Sequence, residues 1–161
     1  MNETLVVLRK ELHKHPELSG QEHTTAKRIV EFVKDYQPTN IIENIGGTGV
    51  AIIYEFGNDG PTVAIRCELD ALPIVEENTF SHQSKNKGVS HKCGHDGHMA
   101  IVAGLSMWLA EAQFKKGSIV LLFQPAEETG KGAAKMLADT KFTNLAPDYV
   151  LRPRYKVCAF I

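Results

Sequence analysis

Ser118-Ile119-Val120-Leu121-Leu122-Phe123 is the segment that most constrains the fold of this chain. Its apolar side chains follow one another without the alternation of a half-exposed strand, which is typical of a strand buried on both faces. Before it, residues 97–112 carry apolar side chains at helical spacing. A buried strand that follows a helix predicts an α/β fold, here a three-layer α-β-α arrangement with a mixed sheet.

The rest of the chain alternates between helical and strand patterns. Further helices are predicted near residues 2–14, 21–36 and 130–138, and further strands at residues 50–56 and 62–67 and from residue 149. Turn-forming residues fill positions 57–61, so the strands on either side are predicted to form a hairpin. Ser19 and Glu22 have the spacing of a capping box, which predicts that Ser19 begins the second helix.

Composition places the chain among ordinary globular proteins. It has 161 residues and a formal net charge of -1, which disfavours a nucleic-acid partner because phosphate binding requires a basic surface. No apolar run approaches the length of a membrane span. Three cysteines without paired spacing do not form a disulfide framework, and a reducing cytoplasm is therefore predicted: Cys67, Cys93 and Cys158.

A metal site is predicted in the segment Cys93-Gly94-His95-Asp96-Gly97-His98. Thiolate sulfur and imidazole nitrogen suit a transition-metal ion, and the thiolate favours Zn over Mn. Asp96 and His98 could orient the ligands. The alternatives are that Asp96 caps a helix and that His98 is a partly buried surface histidine.

Two further acidic segments lie where predicted strands end. Glu127 and Glu128 follow the buried strand, so one could bind metal while the other carries a proton; alternatively, both simply favour the positive end of a helix dipole. Glu68 and Asp70 are two residues apart and could face one site, or they could be solvated acids. The intervening Cys67 side chain would then point into the core.

Most of the remaining histidines are predicted to lie at the surface or at helix ends. These are His13, His15, His23 and His82. His91 is the exception, because its proximity to Cys93 in the chain allows it to line the site. The polar composition between Glu76 and Lys92 predicts an exposed loop.

Three motifs, in this order, resemble one enzyme family. They are Arg66-Cys67-Glu68-Leu69-Asp70-Ala71-Leu72-Pro73-Ile74, His91-Lys92-Cys93-Gly94-His95-Asp96-Gly97-His98-Met99-Ala100 and Phe123-Gln124-Pro125-Ala126-Glu127-Glu128-Thr129-Gly130. They are similar to those of the binuclear-metal amidohydrolases that cleave N-acyl amino acids, such as hippurate hydrolase, aminoacylases, auxin-conjugate hydrolases and N-acetyl-diaminopimelate deacetylase. The resemblance implies a zinc-exopeptidase-like catalytic domain.

The resemblance also implies roles for individual residues. Cys93 would be a ligand shared by two ions, and His95 and Glu128 would each bind one of them. Glu127 would be the general base and acid, and Asp70 would orient a ligand. The implied cofactor is a divalent metal (Zn, Mn or Co), and the implied substrate is an N-acyl amino acid or a small peptide.

The chain also departs from the family pattern. Residues 1–150 are predicted to be the N-terminal part of the catalytic domain, residues 151–161 an aberrant tail, and the dimerisation (lid) domain is expected to be absent. The three ligands would then hold one ion or none, and an uncovered sheet edge would favour self-association. Two alternatives to an enzyme stay open: a non-catalytic remnant that serves as a binding module, and a structural zinc site around Cys93 and His95.

Overall fold

A computed structural model describes residues 2–57 and 59–153. Its elements are α1 (Glu3–Lys14), α2 (His23–Lys34), β1 (Asn40–Ile45), β2 (Gly49–Glu55), β3 (Thr62–Glu68), α3 (His95–Leu109), β4 (Ser118–Gln124), α4 (Gly132–Leu137), α5 (Thr140–Thr143) and β5 (Tyr149–Leu151). No helix in the described part of the chain is long and apolar enough to cross a membrane. Residues 154–161, which include Cys158 and most of the predicted aberrant tail, lie outside the described residues.

The five strands form one mixed sheet in the order β1-β2-β4-β3-β5. The apolar run of β4 lies at its centre, antiparallel to β2 and parallel to β3, and β5 is parallel to β3 at one edge. A central position buries both faces of β4, as its sequence predicts. The mixed sheet and the α/β class are therefore confirmed.

The predicted hairpin between β2 and β3 is wrong, because β4 lies between them. Phe56 N–H donates to the Gly117 carbonyl, and Ser118 N–H donates to the Pro61 carbonyl. The segment that leaves β2 thus passes the start of β4 before β3 begins. The turn residues were recognised correctly, but burial of the most apolar strand determined which strands pair.

The strand that forms a hairpin with β2 is β1, which was not predicted from the sequence. The two strands pair antiparallel, with Asn40 opposite Ile53 and Ile45 opposite Gly49. The pairing register shifts between Glu43 and Ile45, and Asn44 adopts a left-handed φ of 60°. This bulge interrupts the two-residue alternation by which the strand would have been recognised.

Apolar residues fill both sides of the sheet. One face packs against α1, α2 and α3, and its largest buried side chains include Leu12, Ile29 and Phe123. The other face forms a smaller cluster in which Met136 of α4 and Phe142 of α5 take part. Helices on both faces of a mixed sheet make the predicted three-layer arrangement.

The predicted capping box at Ser19 is also wrong. The helix α2 begins at His23, with Glu22 at the capping position. The Ser19 hydroxyl instead donates a hydrogen bond of 2.6 Å to Asp70 Oδ2, across the molecule. Ser19 therefore belongs to the surroundings of the acidic cluster described next.

Candidate metal centre

The candidate site lies at the edge of the sheet where β3 and β4 end. The two strands are parallel neighbours, and Glu68 of β3 is aligned with Gln124 of β4. Both chains therefore leave the sheet side by side, one towards Asp70 and the other towards Glu127 and Glu128. In α/β folds the carboxyl ends of parallel strands are the usual place for a binding site.

The structure brings Cys93, His95 and Glu128 together. One possible ligand atom from each side chain lies within 4.8 Å of the others. His95 Nδ1 donates to the Asp70 carbonyl oxygen at 2.8 Å, which leaves the lone pair on Nε2. That Nε2 lies 3.8 Å from Glu128 Oε1, a buried oxygen without a hydrogen-bond partner among the described residues. An unpaired buried carboxylate oxygen beside a lone pair and a sulfur fits a divalent cation.

The Cys93 thiol is protonated unless a cation binds it. Interaction with the Glu128 carboxylate, followed by burial, raises the pKa of Cys93 to about 11. Metal ligands of this type are thiolates, so binding of a cation would release the proton. Cys67 differs, because it lies in the core, as predicted. Its complete burial raises the pKa of its thiol.

Asp70 holds several parts of the site in place. Its Oδ2 accepts hydrogen bonds from the Ser19 hydroxyl and, at 2.9 Å, from Glu128 N–H. Although burial alone would raise the pKa of Asp70, interactions with His95, Ser19 and Glu128 lower it to about 2. Asp70 is thus ionised at neutral pH, and its contacts are those expected of a residue that orients ligands.

Glu127 lies beside the three candidate ligands. Its Oε2 is 3.7 Å from His95 Nε2, and its side chain is partly exposed to solvent. The turn that carries it begins at Pro125 and Ala126, where Ala126 adopts a left-handed φ of 49°. A Cβ atom at Gly132 would overlap the Pro125 carbonyl oxygen, so only glycine lets the next helix approach this turn.

A second group of potential ligands shares His95. Glu68, His95 and His98 also offer ligand atoms within 4.8 Å of one another. Glu68 Oε2 lies 2.9 Å from His98 Nδ1, and Glu68 is completely buried. The residues Glu68 and Asp70 thus both face the site rather than solvent, and His98 is buried against Glu68 rather than at the surface.

His13 and Asp96 form a buried pair beside this centre, contrary to the prediction of a surface histidine. His13 Nδ1 lies 2.7 Å from Asp96 Oδ2, and His13 Nε2 lies 2.9 Å from Glu76 Oε1. Arg9 Nε approaches the same Asp96 oxygen at 2.8 Å. Asp96 is almost fully buried, so it connects α1 to the start of α3 and does not merely cap that helix.

The loop between Glu76 and Lys92 is anchored rather than simply exposed. The buried Glu76 carboxylate accepts hydrogen bonds from Ser84 N–H at 2.7 Å and from the Lys92 ammonium at 2.9 Å. His91 within this segment is buried, and the centre of its ring is 6.4 Å from that of His13. Burial lowers the pKa of His91 to about 4, which keeps the ring neutral.

The His13 contacts predict a pH dependence of stability. Hydrogen bonding to Asp96 raises the pKa of His13, so its contribution is complete below the unfolded pKa of about 6.5 and is lost as pH rises through the raised value. In that window the free-energy difference between wild type and His13→Gln should fall by up to about 1.4 kcal/mol per pH unit. Urea unfolding of metal-free protein measures it. A constant difference for His13→Gln across this window would contradict the prediction.

Arg152 was not recognised as a site residue from the sequence. It lies just after β5, and its Nε is 2.9 Å from Glu68 Oε1, while one terminal nitrogen is 3.8 Å from Glu127 Oε1. No motif marked it, because it falls within the segment predicted to be an aberrant tail. Only the pairing of β5 with β3 places it at this edge of the sheet.

Comparisons with known proteins show the family to which this sequence is similar. The model of peptidase family M20/M25/M40 matches residues 64–157. The N-acetyl-L-cysteine deacetylase of Bacillus subtilis is 40% identical over 144 residues, covering 86% of this chain and 33% of the deacetylase. The hippurate hydrolase of Campylobacter jejuni is 37% identical, covering 89% of this chain and 37% of the hydrolase. The chain thus spans about a third of the length of these curated relatives.

A solved structure supports the fold as well. The crystal structure of a dinuclear metal binding peptidase of the M20 family from Bacillus subtilis superposes with a TM-score of 0.78 and 40% sequence identity. The match covers 84% of this chain and 38% of the peptidase chain. The segment matched by the family model, residues 64–157, contains the sheet edge at which the candidate ligands converge.

Proposed function

Since this chain belongs to peptidase family M20/M25/M40, we propose that it hydrolyses the amide bond of N-acyl amino acids or small peptides with a divalent metal ion. The observation that carries the proposal is the convergence of Cys93, His95 and Glu128 beside Glu127. The names of the relatives support this substrate class, since they include an N-acetyl-L-cysteine deacetylase and a hippurate hydrolase.

The proposed ligands are Cys93, His95 and Glu128. Sulfur, imidazole nitrogen and one carboxylate oxygen suit Zn best and accept Mn or Co. Three protein ligands hold one ion and leave a position open for water or substrate, whereas the related solved structure is described as dinuclear. When bound, such an ion polarises the substrate carbonyl and makes a bound water acidic near neutral pH.

Glu127 is the proposed general base and acid. Its Oε2 lies at the edge of the ligand set, 3.7 Å from His95 Nε2. The carboxylate would accept a proton from a water whose oxygen adds to the amide carbonyl, and would donate that proton to the amide nitrogen as the C–N bond breaks and the amine leaves. Because its side chain is only partly buried, Glu127 can face both the ligands and an incoming substrate.

Asp70 is the proposed positioning residue. Its carbonyl oxygen fixes the tautomer of His95, and its carboxylate holds Glu128 N–H. These two contacts orient one ligand from each side of the site. His95 therefore presents Nε2 before any cation arrives, which lowers the entropy cost of binding it.

Partners and location complete the proposal. We propose a small-molecule substrate, and neither a nucleic-acid nor a membrane partner. The formal net charge of -1 supports this, because phosphate binding favours a basic surface. A reducing cytoplasm is proposed because Cys67 and Cys93 are both free thiols. Exposed apolar side chains of β5 support self-association through that edge: Tyr149, Val150 and Leu151.

Metal loading with an activity assay tests the function. Protein loaded with Zn, Mn or Co should hydrolyse N-acetyl- or N-benzoyl-amino acids, and a chelator should abolish this. Cys93→Ala should lose the bound metal, whereas Cys67→Ala, the matched control in the core, should keep it. Full metal content in Cys93→Ala would contradict the proposed ligand set.

Other outcomes of the same assay identify the alternatives. Bound metal without turnover would indicate a binding module that lacks catalysis and not an enzyme. Metal without turnover, together with unfolding on chelation, would indicate a structural zinc site, because structural zinc contributes directly to folding. Circular dichroism of the metal-free protein distinguishes these two outcomes.

A further inference from the structure

The Arg152 guanidinium occupies a defined position next to the proposed base. Its Nε forms an ion pair of 2.9 Å with Glu68 Oε1, and Glu68 is completely buried. A terminal nitrogen is 3.8 Å from Glu127 Oε1, too long for a hydrogen bond. The guanidinium is thus ion-paired closely with the buried carboxylate of Glu68 and more loosely with Glu127.

The Arg152 side chain remains partly accessible to a ligand. The Arg152 side chain is 37% exposed although Glu68 is not exposed at all. An arginine carries five N–H donors in a planar fork, and the two terminal nitrogens together suit a carboxylate, which binds them bidentately. Arg152 is thus a partly exposed cation beside the proposed catalytic carboxylate.

The proposed substrate carries a carboxylate at a matching position. In an N-acyl amino acid, the carboxylate carbon is two bonds beyond the amide nitrogen, about 2.5 Å away given bond lengths near 1.5 Å. Glu127 must reach that nitrogen to protonate it. The Arg152 nitrogen 3.8 Å from Glu127 Oε1 is therefore close enough to contact the substrate carboxylate while Glu127 contacts the amide nitrogen.

Charge also favours such a cation. Asp70, Glu127 and Glu128 give the site three carboxylates, which repel an anionic substrate. A positive group beside them favours binding of an N-acyl amino acid in its ionised form. Arg152 is such a group: its shortest ion pair is with Glu68, at 2.9 Å, and its contact with Glu127 is longer, at 3.8 Å.

We propose that Arg152 is a specificity-determining residue that binds the free α-carboxylate of the N-acyl amino acid. This inference rests on the proposed function and names the part of the substrate that the chain recognises. It also gives a role to Arg152, which lies within the segment predicted to be an aberrant tail. Substrates without the carboxylate would not be recognised at Arg152.

Comparing two substrates tests the proposal. Arg152→Gln should raise KM for an N-acetyl amino acid about 10- to 100-fold, since hydrogen bonds to charged groups contribute about 1.5–3 kcal/mol. KM for the corresponding N-acetyl amino acid carboxamide, which has no negative charge, should stay unchanged, and kcat should change little for both. Arg152→Lys keeps the charge but loses the bidentate fork and should give a smaller rise.

The matched control is Arg66→Gln. Arg66 also approaches Glu68 Oε1, at 3.5 Å, and so its loss perturbs the same buried carboxylate. This variant should not discriminate between the two substrates. Circular dichroism verifies that each variant folds, and Arg152→Lys provides the comparison if Arg152→Gln does not.

Two outcomes would overturn the inference. An equal effect of Arg152→Gln on both substrates would make its role structural, and a higher rate in that variant would mean that the guanidinium obstructs Glu127. Binding of the N-acetyl amino acid to metal-loaded Glu127→Gln protein, measured by calorimetry with and without Arg152→Gln, needs no turnover. Weaker binding without Arg152 but no hydrolysis by wild type would preserve the inference and reject the proposed function.

Discussion

Glu127→Gln should lower kcat for hydrolysis of an N-acyl amino acid by about 10²–10⁴-fold, the usual contribution of a positioned proton carrier. Glutamine has the shape of glutamate but neither accepts nor delivers the proton at neutral pH. Because Glu127 is not one of the three proposed ligands, the variant should retain the metal content of wild type. Single-turnover kinetics combined with elemental analysis measure both quantities on the same sample.

The reason for so large an effect is the position of the carboxylate. Glu127 Oε2 is 3.7 Å from His95 Nε2, and the carboxylates of Asp70 and Glu128 are engaged in holding the ligands. Neither of these two acids can therefore take over the proton without releasing a ligand, and Glu68 is completely buried. Arg152, a cation 3.8 Å from Glu127, is always protonated and cannot act as a base.

A control and an opposing result define this prediction. Glu111→Gln, at an exposed position beyond the end of α3, changes the same formal charge and should leave kcat within about twofold, as is usual for surface substitutions. Equal rates for Glu127→Gln and wild type would remove Glu127 from its proposed role. Loss of metal in Glu127→Gln would instead make it a ligand.

Glu22→Ala should lower the free energy of unfolding by about 3–5 kcal/mol, since each buried donor left without a partner costs about 1–3 kcal/mol. Glu22 is completely buried before α2. Its Oε1 accepts hydrogen bonds of 2.8 Å from Gly20 N–H and from Ala126 N–H, and its Oε2 accepts one of 2.6 Å from the Thr48 hydroxyl. Alanine removes all three acceptor contacts and leaves a cavity.

Glu22→Gln tests whether hydrogen bonding is the cause. The glutamine oxygen can still accept from Ala126 N–H, and the Thr48 hydroxyl can rotate to accept from the new amide group. The expected loss is therefore well below that of Glu22→Ala. Glu31→Ala, at an exposed site on the same helix, should cost within about 0.5 kcal/mol. Urea denaturation gives all three values, and similar losses for Glu22→Ala and Glu31→Ala would contradict the prediction.

Glu22 also affects the candidate site through Ala126. This residue has a left-handed φ of 49° immediately before Glu127, a conformation that non-glycine residues rarely adopt. The hydrogen bond from Ala126 N–H to Glu22 stabilises that turn. Any Glu22→Ala protein that still folds should thus lose activity with Glu127 intact.

Much of the fold could be predicted from local sequence. The apolar run of β4 predicted a strand buried on both faces, and helical spacing located α1, α2 and α3 within a few residues. These patterns depend on neighbours along the chain. The bulge at Asn44 concealed β1, and the turn residues after β2 predicted a hairpin that the position of β4 excludes.

Much of the candidate site could be predicted as well, but not its surroundings. Cys93 and His95 were selected by residue type and spacing, and Glu128 by the family resemblance. The structure brings all three together. His13 was predicted to lie at the surface because nothing in its neighbourhood indicates burial. Its partners Asp96 and Glu76 lie far along the chain, so only folding shows that it is enclosed between two carboxylates.

The sequence by itself determined the chemical groups, most of the local elements and the family, because these depend on which residues are present and how closely they are spaced. Only the tertiary structure decided which strand lies between β2 and β3, and that Arg152 faces Glu127. The physical reason is that strand order and charge pairing follow from burial and from contacts between distant segments. A site made from the ends of separate strands forms only when those strands pair with β4 in the sheet.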